Sequence, residues 1–118
     1  MSIKITNEFG DVSIDTEVIA TIAGMSAMEC YGLVGMTYKS ARNGIAKILK
    51  GEYLSKGVEV KVEETGVHIT LYVIVQFGTK ISVVAENIIE KVKYNVENLT
   101  GLNVIEVNLN IEGVRVQE

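Results

Sequence analysis

A single cysteine, a single histidine and no proline leave few chemical options open in this 118-residue chain. One cysteine cannot close an internal disulfide, so nothing ties the protein to an oxidising compartment. One cysteine and one histidine cannot furnish the nitrogen and sulfur shell of a zinc site, and the acids show no calcium-loop spacing. No metal and no cofactor is therefore expected. There is no proline, low-complexity tract, linker or clear internal repeat, so residues 1–118 read as one domain. Positive charge is also short. Eleven Lys and Arg against 15 Asp and Glu give a net charge of −4, which argues against a general nucleic-acid binder. Long apolar runs are missing too. The longest uncharged stretch, 65–79, has 15 residues and alternates like a strand, whereas a spanning helix needs roughly 20 apolar residues. The start, MSIKITNEFG, holds no apolar signal core. A cytoplasmic protein is expected.

What the chain does hold is apolar material: 47% of its residues are hydrophobic, and its mean hydropathy is +0.27. That is ample for one core and hints at a buried partner surface. Asp15 is placed to cap a helix over 16–30, with Glu17 favoured in its first turn. Ala20, Ala23, Gly24 and Ala27 give this helix a close-packing face, with Val18, Ile22 and Met25 filling beside it. Gly32 is read as its stop, and 33–38 as a short strand. GVEVKVEE and VHITLYVIVQF alternate with period two and are joined at Thr65-Gly66 as a hairpin. Val67, Ile69, Leu71, Val73, Val75 and Phe77 share the predicted core face. His68, Thr70, Tyr72, Ile74 and Gln76 share the other. Thr79 is read as the cap of a helix over 80–99 whose apolar stripe is Ile81, Val84, Ala85, Ile88, Val92, Val96 and Leu99, ended by Gly101. In the last strand Ile105, Val107, Leu109 and Ile111 point inward, with a bulge near Gly113. The predicted fold is α+β: two main helices on one face of a mainly antiparallel sheet, plus a short basic helix.

That basic helix belongs to 39–56, where Lys39, Arg42, Lys47, Lys50 and Lys56 face one acid, Glu52. A local charge of +4 leaves −8 for the rest of the chain. Ile45, Ile48, Leu49 and Tyr53 fall on one helical face. The five cations are the candidate partner surface. A solvated charged face is the plain alternative, and an anionic lipid or acidic partner the functional one.

Catalytic chemistry finds little support. A reactive cysteine needs a helix N-terminus or a nearby cation. Cys30 instead sits at a helix C-terminus beside Glu29, and strand alternation puts His68 away from the core side chains. The acids fall on polar faces or turns, not in apolar pockets where a carboxylate would turn acid–base catalyst. GLVG at 32–35 has the outline of an RNA-clamping loop, but it joins a helix to a strand and holds no cation. No catalytic residue is assigned. Tyr72 and Ile74 lie on a sheet face with no evident third helix to cover it, so they are the candidate self-association surface, and a homo-oligomer is expected. The last strand at a sheet edge would add backbone groups to such pairing.

The ordered marks Gly10 and Val12, then Glu29, Gly32, Gly35 and Met36, then Phe77-Gly78, Thr100 to Leu102 and Val107 to Val114 resemble the alkaline shock protein family of Gram-positive bacteria. The resemblance spans nearly the whole chain and is closest to short, single-domain members. It implies a non-enzymatic, cytoplasmic accessory protein of cell-envelope homeostasis and stress, with recruitment to the membrane through a protein partner. No catalytic residue comes with it. Three rivals stand beside this reading, the weakest being a cysteine hydrolase built on Cys30. Of the other two, one is a regulatory partner of a lipid or fatty-acid metabolic enzyme, and the second an RNA-binding module using 39–56.

Overall fold

The computed structural model of the chain describes residues 2–7, 10–38, 48–49 and 51–116. In chain order these form β1 (Ser2–Asn7), β2 (Gly10–Asp15), α1 (Thr16–Met28), β3 (Leu33–Met36), a 3-10 helix (Gly51–Gly57), β4 (Val58–Glu63), β5 (Gly66–Gln76), α2 (Ile81–Thr100) and β6 (Val104–Arg115). β1 and β2 pair antiparallel as a sheet of their own, with Ile3 opposite Ile14 and Ile5 opposite Val12. Neither strand is among the elements read from the sequence, though each six-residue segment alternates with period two. The other four strands form one sheet around β5. β6 runs parallel to β5 along nearly all of it, from Val67 to Gln76. A strand has two edges, so β4 and β3 share the opposite one. β4 pairs antiparallel with 66–71 and β3 with 73–75. The sheet is thus antiparallel on one side of β5 and parallel on the other. The parallel pair is possible because α2 carries the chain back across the sheet.

Both helices lie on one face of this sheet, α1 over the β3–β4 side and α2 over β6. Asp15 caps α1 as predicted, its Oδ1 accepting from the Glu17 amide at 3.0 Å. Ala20, Ala23, Gly24 and Ala27 are buried, as the small-residue face requires. Val18 and Met25 are not fill for the core: they are 49% and 57% exposed. The reason is geometric, since the small residues already bring the backbone to its neighbours and leave those two pointing outward. A Cβ on Gly24 would stand 3.4 Å from Leu54 of the 3-10 helix. The helices run antiparallel to each other, tied where buried Ser26 accepts from Asn95 at 2.8 Å and donates to the Ile22 carbonyl at 2.7 Å.

The predicted core face of β5 is buried throughout from Val67 to Val75, and Val84, Ile88, Val92 and Val96 of α2 close on it. The ends of each stripe fail. Phe77, Ile81 and Leu99 are 70%, 41% and 71% exposed, because they lie past the last strand or helix that could cover them. Several boundaries also move. α1 ends at Met28, and Gly32 (φ 90°) is not its cap but the turn into β3, packed so closely that a Cβ would meet Val84. The β4–β5 hairpin turns on Glu64-Thr65, since Glu63 pairs with Gly66. Lys80, not Thr79, stands at the N-cap of α2, and the Thr79 hydroxyl donates to the Gln76 carbonyl instead. In β6 the register slips twice, at Ile105 and at Glu112. Val104 therefore turns inward, while Ile105 and Ile111 are 39% and 38% exposed.

The far face of the sheet is where expectation and structure part most. Tyr72 and Ile74, expected in solvent, are 4% and 0% exposed. Gly35 is the register partner of Ile74, and the missing Cβ at Gly35 would lie 2.8 Å from Ile48 Cγ2. Ile48 thus crosses the place a side chain would take, beside Ile74. Leu49 makes an antiparallel bridge to Met36 and joins the core on the helix side. Ile48 and Leu49 accordingly serve opposite faces, which an amphipathic helix through both would not allow. We expect Ile74→Glu to cost about 4 kcal/mol or more in urea denaturation, as a buried unpaired charge does, whereas Val83→Glu on exposed α2 surface stays near neutral. Native stability in Ile74→Glu would mean that this half of the face is open.

Candidate functional site

Strand alternation sends Glu59, Lys61 and Glu63 of β4, His68 and Thr70 of β5, and Glu106 and Asn108 of β6 to the far face. Beyond the covered end at Tyr72 and Ile74, all of these but Glu63 border a concave pocket of about 500 Å3. His68 sits at its centre. Its Nε2 lies 3.2 Å from Glu63 Oε2 and its Nδ1 3.4 Å from Glu106 Oε1, so one ring faces carboxylates from both neighbouring strands. Glu106 Oε1 also accepts from Asn108 Nδ2 at 2.8 Å. That bond, then the one to His68, holds the Glu106 carboxyl below the usual carboxylate range. The next polar tie along β5 has the same plan. The Tyr72 hydroxyl bonds to Glu59 on β4 and Asn110 on β6, and burial foremost pushes its pKa up. The sequence put these residues on one face. It could not bring Glu63 and Glu106 to one imidazole, because that needs the parallel β5–β6 register.

The flank of this face is the outer edge of β6. Among the described residues β6 pairs only with β5. Its two ends are tied: Glu97 Oε2 accepts from the Val104 amide at 3.1 Å, and the Arg115 carbonyl accepts from the Phe77 amide at 2.7 Å. Between the two register slips lies a regular run, 106–111.

Of the five cations expected to form a partner surface, Lys39, Arg42, Lys47 and Lys50 lie outside the described residues. Lys56 is exposed in the last turn of the 3-10 helix. Tyr72 and Ile74 are covered within the single chain, which removes the ground on which they were expected to self-associate. Cys30 is half-buried between the helices, its Sγ 3.6 Å from the Ser26 carbonyl and 4.0 Å from that of Asn87. Burial pushes the thiol up, Lys91 draws it down and Glu29 raises it again. The ring nitrogens of His68 face Glu63 and Glu106 instead. No group of three or more His, Cys, Asp or Glu among the described residues is disposed to hold a metal ion. No described helix is long and apolar enough to cross a membrane.

Comparison with known proteins gives these findings. The model of the alkaline shock protein 23 family, described as having a cell envelope-related function, matches residues 4–116. The uncharacterized protein YloU of Bacillus subtilis (strain 168) is 47% identical over 117 residues, covering 98% of each chain. A stress response regulator gls24 homolog of Streptococcus pyogenes is 27% identical over 92% of this chain and 61% of that protein. Among solved structures, a MamM CTD chain superposes with a TM-score of 0.50 at 12% identity, over 87% of this chain and 94% of that one. That likeness concerns the fold alone.

Two outcomes follow from the site chemistry. Cys30→Ala costs about 1 kcal/mol of packing, and the wild-type thiol reacts with a disulfide reagent at neutral pH more slowly than free cysteine. Rapid labelling of the folded protein contradicts this. Glu106 has its folded pKa lowered, so its stabilisation is present above the ordinary carboxylate range and fades as pH falls through the folded value. Glu106→Gln should therefore flatten that acid limb of the urea-midpoint profile. An unchanged limb speaks against the bonds to Asn108 and His68.

Proposed function

The chain belongs to the alkaline shock protein 23 family, and on that premise we propose that it is a non-enzymatic accessory protein of cell-envelope homeostasis and stress, acting by binding another protein at or near the membrane. The observation that carries this reading is the open half of the far sheet face. It is a concave, charged surface spanning three strands, beside a sheet edge with no partner among the described residues. Sheets covered by helices on one side and left polar on the other present such a face to solvent or to a partner. The side chains there support recognition better than reaction. His68 is engaged across strands with Glu63 and Glu106, Asn108 donates to Glu106 within β6, and among the described residues Cys30 does not face the His68 ring. Cys30, the only thiol, packs between the helices on the opposite side of the sheet and is held as the thiol. Recognition by shape and charge needs no further group.

Depletion in the native host tests the reading. Loss of the protein should change susceptibility to cell-wall antibiotics, and Cys30→Ala should restore the wild-type response at equal protein level. An unaltered antibiotic profile on depletion removes the envelope role. Failure of Cys30→Ala to complement, with the folded protein present, removes the non-enzymatic one.

A further inference from the structure

The outer edge of β6 joins two chemistries along one line. Its backbone is unpaired over 106–111 among the described residues, a run about as long as an ordinary strand. On the far face the line is polar and acidic: Glu106 is about half exposed, with Asn108 and Asn110 following at the strand's period of two. On the helix face it is apolar and increasingly uncovered. Val107 is 9% exposed, Leu109 is half-buried and Ile111 is 38% exposed, because α2 covers only part of β6. The register slips at Ile105 and Glu112 bound the run and limit what can pair with it.

We propose that β6 is a docking edge for an extended segment of a protein partner whose residues alternate basic and apolar, added as a further strand of the sheet. Backbone hydrogen bonds along 106–111 supply the affinity that is independent of sequence. A strand so placed sets alternate side chains directly beside those of β6. One set lies next to Glu106 on a face where Glu59, Glu63 and Glu106 outnumber Lys61, so lysine or arginine complements it. The other set lies next to Leu109 and Ile111, where an aliphatic side chain covers exposed apolar surface. The proposal names the partner chemistry of the interaction read above and rests on that reading only for the partner being a protein.

The probe is an alternating lysine–valine peptide, with an alternating glutamate–valine peptide and two versions of the first that are N-methylated on one or the other backbone edge. Wild-type protein should bind the lysine–valine peptide, with slowed amide exchange over 106–111. One of the two N-methylated versions should lose about tenfold or more, because methylation removes the donors of the pairing edge. Glu106→Lys should weaken the lysine–valine peptide about tenfold and favour the glutamate–valine one. Glu86→Lys, an equal charge change on the exposed side of α2, should do neither. The proposal is overturned if wild type does not bind, if both N-methylated peptides bind like the parent, or if Glu86→Lys acts as Glu106→Lys does. Any of these leaves the antibiotic response on depletion untouched. Conversely, a normal antibiotic response with peptide bound at β6 removes the envelope reading and leaves the docking edge standing.

Discussion

The backbone of Gly66–Gln76 must have both of its edges satisfied, and the arrangement of the molecule follows from how that is done. A buried strand cannot leave amides and carbonyls unpaired without a penalty comparable to a lost hydrogen bond for each. One edge is taken by β6 along nearly its whole length. The other is too long for either remaining neighbour, so β4 and β3 divide it end to end. That division sets the end of β3 beside the start of β4, Met36 opposite Val73 and Val58 opposite Leu71, so the chain between them leaves and rejoins the sheet at the middle of β5. The 3-10 helix is part of this path, packing against α1 where Gly24 admits Leu54 closely. Val67, Ile69, Leu71, Val73 and Val75 then all face the helices at 0 or 1% exposure.

The same parity produces two different far-face halves. Where β5 meets β3, the far side holds Tyr72 and Ile74 beside Gly35, and the absent side chain at Gly35 gives Ile48 room to close over. Where β5 meets β4 and β6, the far side holds His68 and Thr70 among carboxylates and amides, and it stays open. Cross-strand ties centred on His68 and Tyr72 span all three strands there. Exposed ion pairs of this kind contribute little to stability individually. Their greater effect is to present charge and hydrogen-bonding groups in a set arrangement beside the β6 edge.

Periodicity alone decided a good deal. Eleven residues of alternation in β5, the small-residue face of α1 and the valine–isoleucine stripe of α2 each specify an element and its buried side, because packing rewards one phase of the pattern over the other. Asp15 as a cap and Gly101 as a stop were equally local, as was the bulge near Gly113, whereas the slip at Ile105 left no such signal. The single cysteine at the C-terminal end of a helix, beside Glu29, was legible as a packed thiol from the dipole and its neighbour, which act over a few residues, whereas Lys91 and Asn87 reach it from α2.

Relations between elements were decided only by the tertiary structure. Nothing local says that β6 lies parallel to β5, so nothing local brings Glu63 and Glu106 to the two nitrogens of His68. Tyr72 and Ile74 looked exposed because alternation assigns a face but cannot say what returns to cover it. Their cover depends on Gly35, whose missing side chain leaves room for Ile48 beside Ile74, next to the bridge of Leu49 to Met36. Val18 and Met25 erred the other way: their helical phase was apolar, but the neighbouring elements meet α1 through its alanines and Gly24. A sequence pattern reports which side of an element prefers burial. Only long-range contacts, made by residues far apart in the chain, determine which of those sides is in fact closed.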